Sequence, residues 1–373
     1  MWMDKINEAV QYAKKRRINI YNWPDTIRNY TVVAFGLGKF FEDTHERLFN
    51  LCEVEYVSDN DKNKWGKEFY GKKCIKPKEI MKLDNPLVIV VMGNYIPVRD
   101  QMRQMRIPSM CITDLHMSEY IRGEKTDWLE NELENIKTVI DLLEDDYSRD
   151  VFTTVFCNKI YGSETEHDYA EVFSDGEYFG TGILELMPGE VLIDAGAYIG
   201  DTVADVVQLT DGKFDKIYAY ELSSENYAEM KKDILKYSEN IQKKIETINA
   251  GVWDKKEELW CEHFGTLVGC QVVEEQLGEP AQLVALDEDI PEDATITMIK
   301  MDIEGSEQKA ILGAKKIISR DKPKLAICLY HTADDMWKIP LLIKQINNSY
   351  KIYIRHHSMS KFAETVCYAY VEQ

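Results

Sequence analysis

Short apolar runs that end in an acidic residue or a glycine recur along the C-terminal half of the chain. Four of them cover residues 191–194, 216–221, 245–252 and 296–302, and each has the length of a buried strand. The first run leads into a helix start, and a helical pattern through residues 311–318 follows the fourth. This alternation predicts an α/β domain whose sheet is mostly parallel.

The first run ends in an acid and two glycines, Asp194, Gly196 and Gly200. Glycine is favoured where a ligand lies against the backbone, and the N–H groups of the following helix can bind an anionic part of that ligand. Close packing of strand and helix is the alternative reason for a glycine here. The second run ends in Glu221, whose carboxylate can accept from both hydroxyls of a ribose. The two acids together predict an adenosine-like ligand.

Two motifs carry a resemblance to a known family: Asp-x-Gly-Ala-x-x-Gly at 194–200 and Lys-x-Asp-x-Glu-Gly-x-Glu at 300–307. With them, roughly residues 180–373 resemble the FkbM family of S-adenosylmethionine-dependent methyltransferases. The resemblance implies a Rossmann-like methyltransferase sheet and S-adenosylmethionine as cofactor. One difference is Tyr198, which stands where the family usually has Asn. The residues expected to bind the cofactor are Asp194, Gly196, Tyr198, Gly200, Asp201, Glu221, Leu222, Asn249 and Ala250.

Acidic and imidazole side chains follow the later strands, at the edge where an open parallel sheet binds ligands. A hydroxyl is a poor nucleophile at neutral pH, so methyl transfer to oxygen calls for a base. Plain alternatives exist: Asp302 could cap the next helix, and His331 lies near another helix start. Because His356 and His357 are adjacent on an extended segment, at most one of them should face the site. The predicted catalytic residues are Asp302, Glu304, His331 and His356.

A divalent metal is a further alternative, because Asp302, Glu304 and His331 are ligands of suitable kinds. We predict no metal ligands on this basis. The sheet should end in an antiparallel hairpin, formed by the alternating runs 350–354 and 365–371. The acidic insertion from Trp260 to Pro291 could shape the acceptor pocket or extend the sheet.

The first third of the chain carries a separate α/β pattern, with strand-like runs at 30–35, 54–59, 86–93 and 110–113. It predicts a smaller N-terminal Rossmann-like domain. Phe41 occupies the place of the third glycine of the dinucleotide fingerprint, which argues against NAD. A phosphate-bearing ligand and a ligand-free scaffold both stay open. We predict domains at 1–122 and 181–373, joined by a segment at 123–180 with one amphipathic helix from Thr126 to Tyr147 and a polar cover at 162–175.

Composition agrees with a cytoplasmic enzyme of two domains. The chain has 373 residues, of which 45% are hydrophobic, and it shows neither a membrane-spanning run nor a secretory signal. A formal charge of −20 repels phosphate backbones, so we expect no nucleic acid partner. Eight cysteines without a Cys-x-x-Cys pair predict reduced thiols.

These observations lead to one preferred function and two alternatives. The resemblance implies O-methylation of a carbohydrate or a glycosylated small molecule, so the expected partner is a small-molecule or saccharide substrate. The alternatives are a nucleotide-sugar-modifying enzyme that uses the N-terminal domain, and a non-catalytic binding protein on the same fold.

Overall fold

The computed structural model describes residues 1–16, 22–114, 126–165, 169–263, 270–273, 276, 278–359 and 363–372. The chain forms two compact units, one of residues 1–133 with 155–167 and the other of residues 134–154 with 168–373. Parts of the predicted N-terminal domain (17–21 and 115–122), of the linker (123–125), of the cover (166–168) and of the insertion (264–269, 274–275 and 277) lie outside the described residues.

The first unit is built on a six-stranded sheet with strand order β3-β4-β2-β1-β5-β6. All strand pairs are parallel except β3 with β4. Alternate apolar residues such as Val33, Phe35 and Val88 form its core. This confirms the predicted N-terminal Rossmann-like sheet. The strands are β1 (Thr31–Phe35), β2 (Tyr56–Ser58), β3 (Glu68–Phe69), β4 (Lys72–Ile75), β5 (Pro86–Val90) and β6 (Ser109–Cys111).

The helices before β6 precede or separate the strands of this sheet along the sequence, and two further helices follow in the linker region. Each of these two helices has residues in both units. The helices are α1 (Trp2–Lys15), α2 (Trp23–Thr26), α3 (Lys39–Leu51), α4 (Pro77–Ile80), α5 (Ile96–Met105), α6 (Thr126–Leu142) and α7 (Asp146–Tyr161).

The predicted helix from Thr126 to Tyr147 is in fact interrupted. Helix α6 ends at Leu142, and the backbone N–H of Glu144 donates to the carbonyl oxygen of Ile352 over 3.0 Å. Asp145 then caps the start of α7, since its carboxylate accepts from the N–H of Ser148 at 2.6 Å. The amphipathic pattern is continuous across this point, so periodicity alone could not locate the break.

The second unit is built on a seven-stranded sheet with strand order β16-β17-β15-β14-β7-β8-β9. Five neighbouring strands of this sheet run parallel, namely β15, β14, β7, β8 and β9. Strand β17 pairs antiparallel with both β15 and β16. The prediction of a mostly parallel sheet ending in an antiparallel hairpin is therefore confirmed. The strands are β7 (Val191–Ala195), β8 (Lys216–Tyr220), β9 (Ile245–Ile248), β14 (Met298–Met301), β15 (Lys324–Cys328), β16 (Lys351–His356) and β17 (Thr365–Tyr370).

The helices of the second unit connect these strands in the α/β manner. Helix α9 shows a typical start, because the hydroxyl of Ser223 accepts from the N–H of Asn226. The buried core between helices and sheet includes Leu192, Ile217, Met298 and Val366. The helices are α8 (Asp201–Leu209), α9 (Ser224–Ile234), α10 (Glu239–Gln242), α11 (Leu286–Asp289), α12 (Glu307–Gly313), α13 (Lys315–Asp321) and α14 (Asp335–Ile346).

The insertion between β9 and β14 forms a separate four-stranded sheet with order β10-β13-β11-β12, so it does not extend the main sheet. Cys261 of β11 and Cys270 of β12 form a disulfide, with their Cα atoms 5.7 Å apart. The expectation that every cysteine is a reduced thiol is wrong for this pair, which two adjacent strands bring together. The strands are β10 (Gly251–Val252), β11 (Glu257–His263), β12 (Cys270–Val273) and β13 (Glu279–Val284).

Candidate functional site

A cavity of about 390 Å³ opens in the second unit, at the carboxyl ends of β7, β8 and β14. Its volume lies in the range of small-molecule sites. Cys270 and Val272 of the insertion also line it, which favours the pocket-shaping alternative for that segment. Eight of the predicted site residues line it: Gly196, Tyr198, Asp201, Glu221, Leu222, Ala250, Asp302 and Glu304. The other five do not: Asp194, Gly200, Asn249, His331 and His356.

Gly196 lies where the ends of β7 and β14 come together. Its φ is +78°, and a Cβ on this residue would lie 1.8 Å from the carbonyl oxygen of Asp302. Any side chain here would force the two strand ends apart. The glycine therefore serves close packing, and that packing places Asp302 beside the turn on the cavity wall.

The turn continues through two residues with left-handed backbone, Tyr198 (φ +48°) and Gly200 (φ +91°). Asn adopts this conformation more readily than Tyr, so the residue that the family usually has would fit with less strain. Tyr198 contacts Glu221 through its backbone N–H, which donates to Oε2 at 2.8 Å. Because this contact uses the backbone, the Tyr198 difference leaves it intact.

Glu221 is buried, and backbone amides hold its carboxylate in place. Its Oε1 accepts from the N–H of Ser223 at 2.8 Å, while Oε2 accepts from Tyr198. The side chain of Asn226 is a third hydrogen-bond partner of this carboxylate. A carboxylate has about four acceptor positions, so one is left for a ligand hydroxyl. Burial raises the pKa of Glu221 to about 7, although the two amides act in the opposite direction.

Asp194 lies beneath the turn and forms a fully buried ion pair with Lys300. Its Oδ1 is 3.2 Å from the Nζ of Lys300, which also donates to the carbonyl oxygen of Gly196 at 2.7 Å. Burial raises the pKa of Asp194 to about 6, against the effect of Lys300. The pair thus supports the Gly196 turn from below, and strand register brings the two residues side by side.

Asn249 braces the neighbouring loop. Its Nδ2 donates to the carbonyl oxygens of Glu221 and Leu222 at 2.9 and 3.1 Å. It therefore holds the end of β8 in position, while the adjacent Ala250 lines the cavity.

Asp302 lies on the cavity wall and accepts two phenol hydrogen bonds. Tyr330 donates to Oδ1 at 2.9 Å, and Tyr178 donates to Oδ2 at 3.1 Å. Burial opposes ionisation, but Lys300, His331 and Tyr330 together lower the pKa of Asp302 below its usual value. Asp302 is therefore a stable carboxylate at neutral pH.

His331 is buried among three carboxylates. Its Nδ1 is 2.8 Å from Oε1 of Glu307, and its Nε2 is 3.3 Å from Asp302 and 3.6 Å from Glu304. Burial lowers the pKa of His331, but the carboxylates, Glu307 first, outweigh it and raise it to about 10. The ring is then an imidazolium at neutral pH and cannot accept a proton there.

Ligand-type atoms of Asp302, Glu307 and His331 lie within 4.8 Å of one another, which is the spacing of a metal site. Glu307 is also engaged by its own helix start, since it accepts from the N–H groups of Ile303 and Gly305. A chain of ion pairs accounts for this arrangement, so we assign no metal to it.

His356 lies apart from the cavity. It is buried, its Nδ1 is 2.8 Å from Oγ1 of Thr365, and its ring is 5.0 Å from that of Tyr169. His357 contacts the carbonyl oxygen of Ser174 and the hydroxyl of Tyr368. Neither histidine of this pair lines the cavity.

Several lining residues escaped the sequence analysis, among them Glu177, Tyr178, Tyr330 and Glu364. Glu177 and Tyr178 come from an irregular segment far from the two motifs, and no local pattern marks them. Tyr330 directly precedes His331, so the predicted rim could have included it.

The fold and this site define a class of protein: an α/β domain with a mostly parallel sheet and a cavity of small-molecule size at its strand ends. Residues 194–358 match the family model described as "Methyltransferase FkbM domain". This part of the chain is therefore an FkbM methyltransferase domain, and the predicted resemblance is confirmed.

A solved structure agrees with this fold. The chain is similar to a crystal structure of methyltransferase FkbM from Methylobacillus flagellatus KT, with 23% identity, a TM-score of 0.70 and 99% of each chain covered. It also matches an rRNA methylase from Streptococcus thermophilus, with 14% identity, a TM-score of 0.31, and coverage of 50% of this chain and 90% of that one. No curated protein matches the sequence significantly. Within the described residues, no helix is long and apolar enough to cross a membrane.

Proposed function

We propose that this protein is an S-adenosylmethionine-dependent methyltransferase that acts on a hydroxyl group of a saccharide or glycosylated small molecule. One observation carries the proposal. The buried Glu221 carboxylate and the Gly196 turn line the same cavity as Asp302 and Glu304.

The lining residues fit the parts of this cofactor. Glu221 has an acceptor position left for a ribose hydroxyl, while Leu222, Ala250 and Val252 supply an apolar surface for a base. When bound, S-adenosylmethionine supplies an electrophilic methyl group on a sulfonium cation. The surrounding carboxylates favour such a cation by charge.

Asp302 and Glu304 have different roles toward the acceptor hydroxyl. Asp302 stays ionised, so it is suited to accept a hydrogen bond from the hydroxyl and orient its oxygen for in-line displacement. The pKa of Glu304 is raised, first by burial, which makes it the better proton acceptor. His331 acts as a positioning residue, because it contacts both acids.

Calorimetric titration with S-adenosylhomocysteine tests the cofactor assignment. We expect saturable binding to the wild type and a large loss in Glu221→Gln, because an amide accepts fewer hydrogen bonds from hydroxyls. Glu225→Gln is the matched control, since Glu225 is exposed and does not line the cavity. Equal affinity in all three proteins, or no binding to any, would refute the proposal.

The nucleotide-sugar alternative finds no support in the first unit. Asp59, the acid at the end of β2, accepts from the N–H of Leu37 at 2.8 Å and pairs with Lys64 at 2.9 Å. Burial raises the pKa of Asp59, but these contacts outweigh burial and lower the pKa below its ordinary value. The carboxylate that would bind a ribose in this unit is thus engaged by the protein itself.

A further inference from the structure

Four acids that come from outside the segments 196–201 and 220–222 line the cavity, and we call them the acidic quartet: Glu177, Asp302, Glu304 and Glu364. Asp201 and Glu221 line it at the turn itself. Six carboxyl groups therefore face one cavity of about 390 Å³. Like charges confined in this way repel each other unless cations accompany them.

Cationic partners on the described cavity wall are few. Lys300 is the one lysine or arginine among these lining residues, and it already contacts Asp194 and the carbonyl oxygen of Gly196. His331 contacts Asp302 and Glu304, but its nearest partner is Glu307. The acidic quartet therefore has more carboxyl groups than there are cationic side chains in contact with it.

Glu177 and Glu364 are members whose main contacts carry no full positive charge. Their carboxyl groups hydrogen-bond to each other, and the hydroxyls of Tyr178 and Tyr330 hydrogen-bond to Glu177 and Glu364, respectively. No lysine or arginine is among the largest contributions to the pKa of Glu177. Oε1 of Glu177 is buried and accepts no hydrogen bond from the described residues. Burial first, then repulsion by Glu364 and Asp302, raises the pKa of Glu177 to about 8. A buried oxygen without a donor is costly, so this pair is suited to a ligand that brings donors and positive charge.

Asp302 adds a negative charge to the same cavity as the Glu177–Glu364 pair. Tyr178 and Tyr330 both direct their hydroxyl hydrogens at it, so they stabilise its ionised form. The acceptor region therefore combines a lasting negative charge with a carboxyl pair that can ionise when a cation binds.

We propose that the methyl acceptor carries a protonated amine, as in an amino sugar, and that the Glu177–Glu364 pair binds it while its reacting hydroxyl faces Asp302 and Glu304. This rests on the proposed methyl transfer in the same cavity. An ammonium group has three N–H donors, enough for both carboxyl groups. A carboxylated or phosphorylated acceptor would be repelled by the quartet.

The test compares three methyl glycosides, those of glucosamine, N-acetylglucosamine and glucuronic acid, by calorimetry on the full chain saturated with S-adenosylhomocysteine. They share a pyranose ring and differ in charge. We expect glucosamine to bind on the order of tenfold more tightly than N-acetylglucosamine, and glucuronic acid to bind most weakly. The double variant Glu177→Gln/Glu364→Gln should lose this preference, whereas Glu225→Gln should keep it.

The titration of S-adenosylhomocysteine separates two kinds of failure. If it does not bind the wild type, the proposed function fails. If it binds, the amine proposal is overturned by equal affinity for the three glycosides, by no measurable affinity for any of them, or by a preference that the double variant retains. Binding of neutral and amino glycosides alike only when MgCl₂ is present would assign the quartet to a metal, and would also overturn it.

Discussion

Gly196 shows how one missing side chain sets the geometry of the site. The ideal Cβ position lies 1.8 Å from a backbone oxygen of Asp302, and backbone cannot yield as a flexible side chain can. The same residue also needs a left-handed φ of +78°, which costs other residues about 1–2 kcal/mol. Conformation and space therefore act together at this position.

We predict that Gly196→Ala lowers the free energy of unfolding by about 3 kcal/mol or more and abolishes S-adenosylhomocysteine binding. Gly182→Ala is the matched control, because Gly182 has a φ of +72° and nothing within 4 Å of its Cβ position. It should lose about 1 kcal/mol and keep binding. Urea denaturation with calorimetry measures both, and similar losses in the two variants would contradict the steric argument.

The protonation of Glu221 predicts a pH dependence of cofactor binding. Its pKa of about 7 lies above the ordinary value, so the unliganded carboxylate is lost as pH falls through neutrality. Ribose hydroxyls donate to the ionised form, so affinity for S-adenosylhomocysteine should rise between pH 6 and pH 8, by about tenfold. Calorimetry across this range should show a flat profile in Glu221→Gln. An opposite slope, or the wild-type slope in the variant, would contradict this role.

At the scale of elements, hydrogen bonds from the terminal hairpin hold the start of α7 in place. Asp145 accepts from Arg355 of β16 at 2.7 Å, and the same guanidinium donates to the hydroxyl of Ser148. Although burial opposes it, Arg355 and Ser148 lower the pKa of Asp145. A pair that joins distant parts of the sequence stabilises the packing between them.

We predict that Asp145→Asn destabilises the protein by about 1 kcal/mol, a value kept small because the pair is partly exposed. Asn can still cap α7, so the change removes mainly charge. Since the folded pKa is lowered, this stability is fully present above the ordinary pKa and is lost progressively as pH falls below it and through the lower folded pKa. Chemical denaturation of the variant at pH 7 and pH 3 measures this, with Asp233→Asn, an exposed partner of Lys236, as control. A difference between wild type and Asp145→Asn that is as large at pH 3 as at pH 7 would refute the assignment.

The elements themselves were largely predictable, because burial imposes a pattern on them. Strands β7, β8, β14 and β15 are apolar runs covered on both faces, and the hairpin β16–β17 alternates in a way that local sequence reveals. The break between α6 and α7 was not predictable, because it depends on a contact between Glu144 and Ile352. The disulfide of Cys261 and Cys270 depends likewise on the pairing of β11 with β12.

At the scale of the whole molecule, the two units carry similar sheets but different turn chemistry. In the first, Asp59 is occupied by Leu37 and Lys64, whereas in the second the Glu221 carboxylate faces a cavity. The difference predicts that the nucleoside ligand binds one unit alone.

Hydrogen exchange measured by mass spectrometry with and without S-adenosylhomocysteine tests this. Protection should appear in segments 194–201, 220–226 and 249–252 of the full chain. Segment 36–41, the corresponding turn of the first unit, should exchange at the same rate in both states, because its acid is already engaged. Ligand-dependent protection confined to 36–41 would place the nucleoside in the wrong unit for our proposal.

The sequence by itself determined the sheet, its terminal hairpin and the two motifs at the strand ends. Burial and tight turns restrict which residue types can occur at a position, so these features are visible locally in the sequence. It also brought Glu221 and Asp302 to one rim, since the carboxyl ends of parallel strands share an edge. Only the tertiary structure decided that Asp194 supports the turn from below, that His331 is held as a cation, and that His356 lies elsewhere. Those outcomes depend on contacts between residues such as Tyr178, Lys300 and Glu307 that are distant in sequence, and no local pattern encodes such distances.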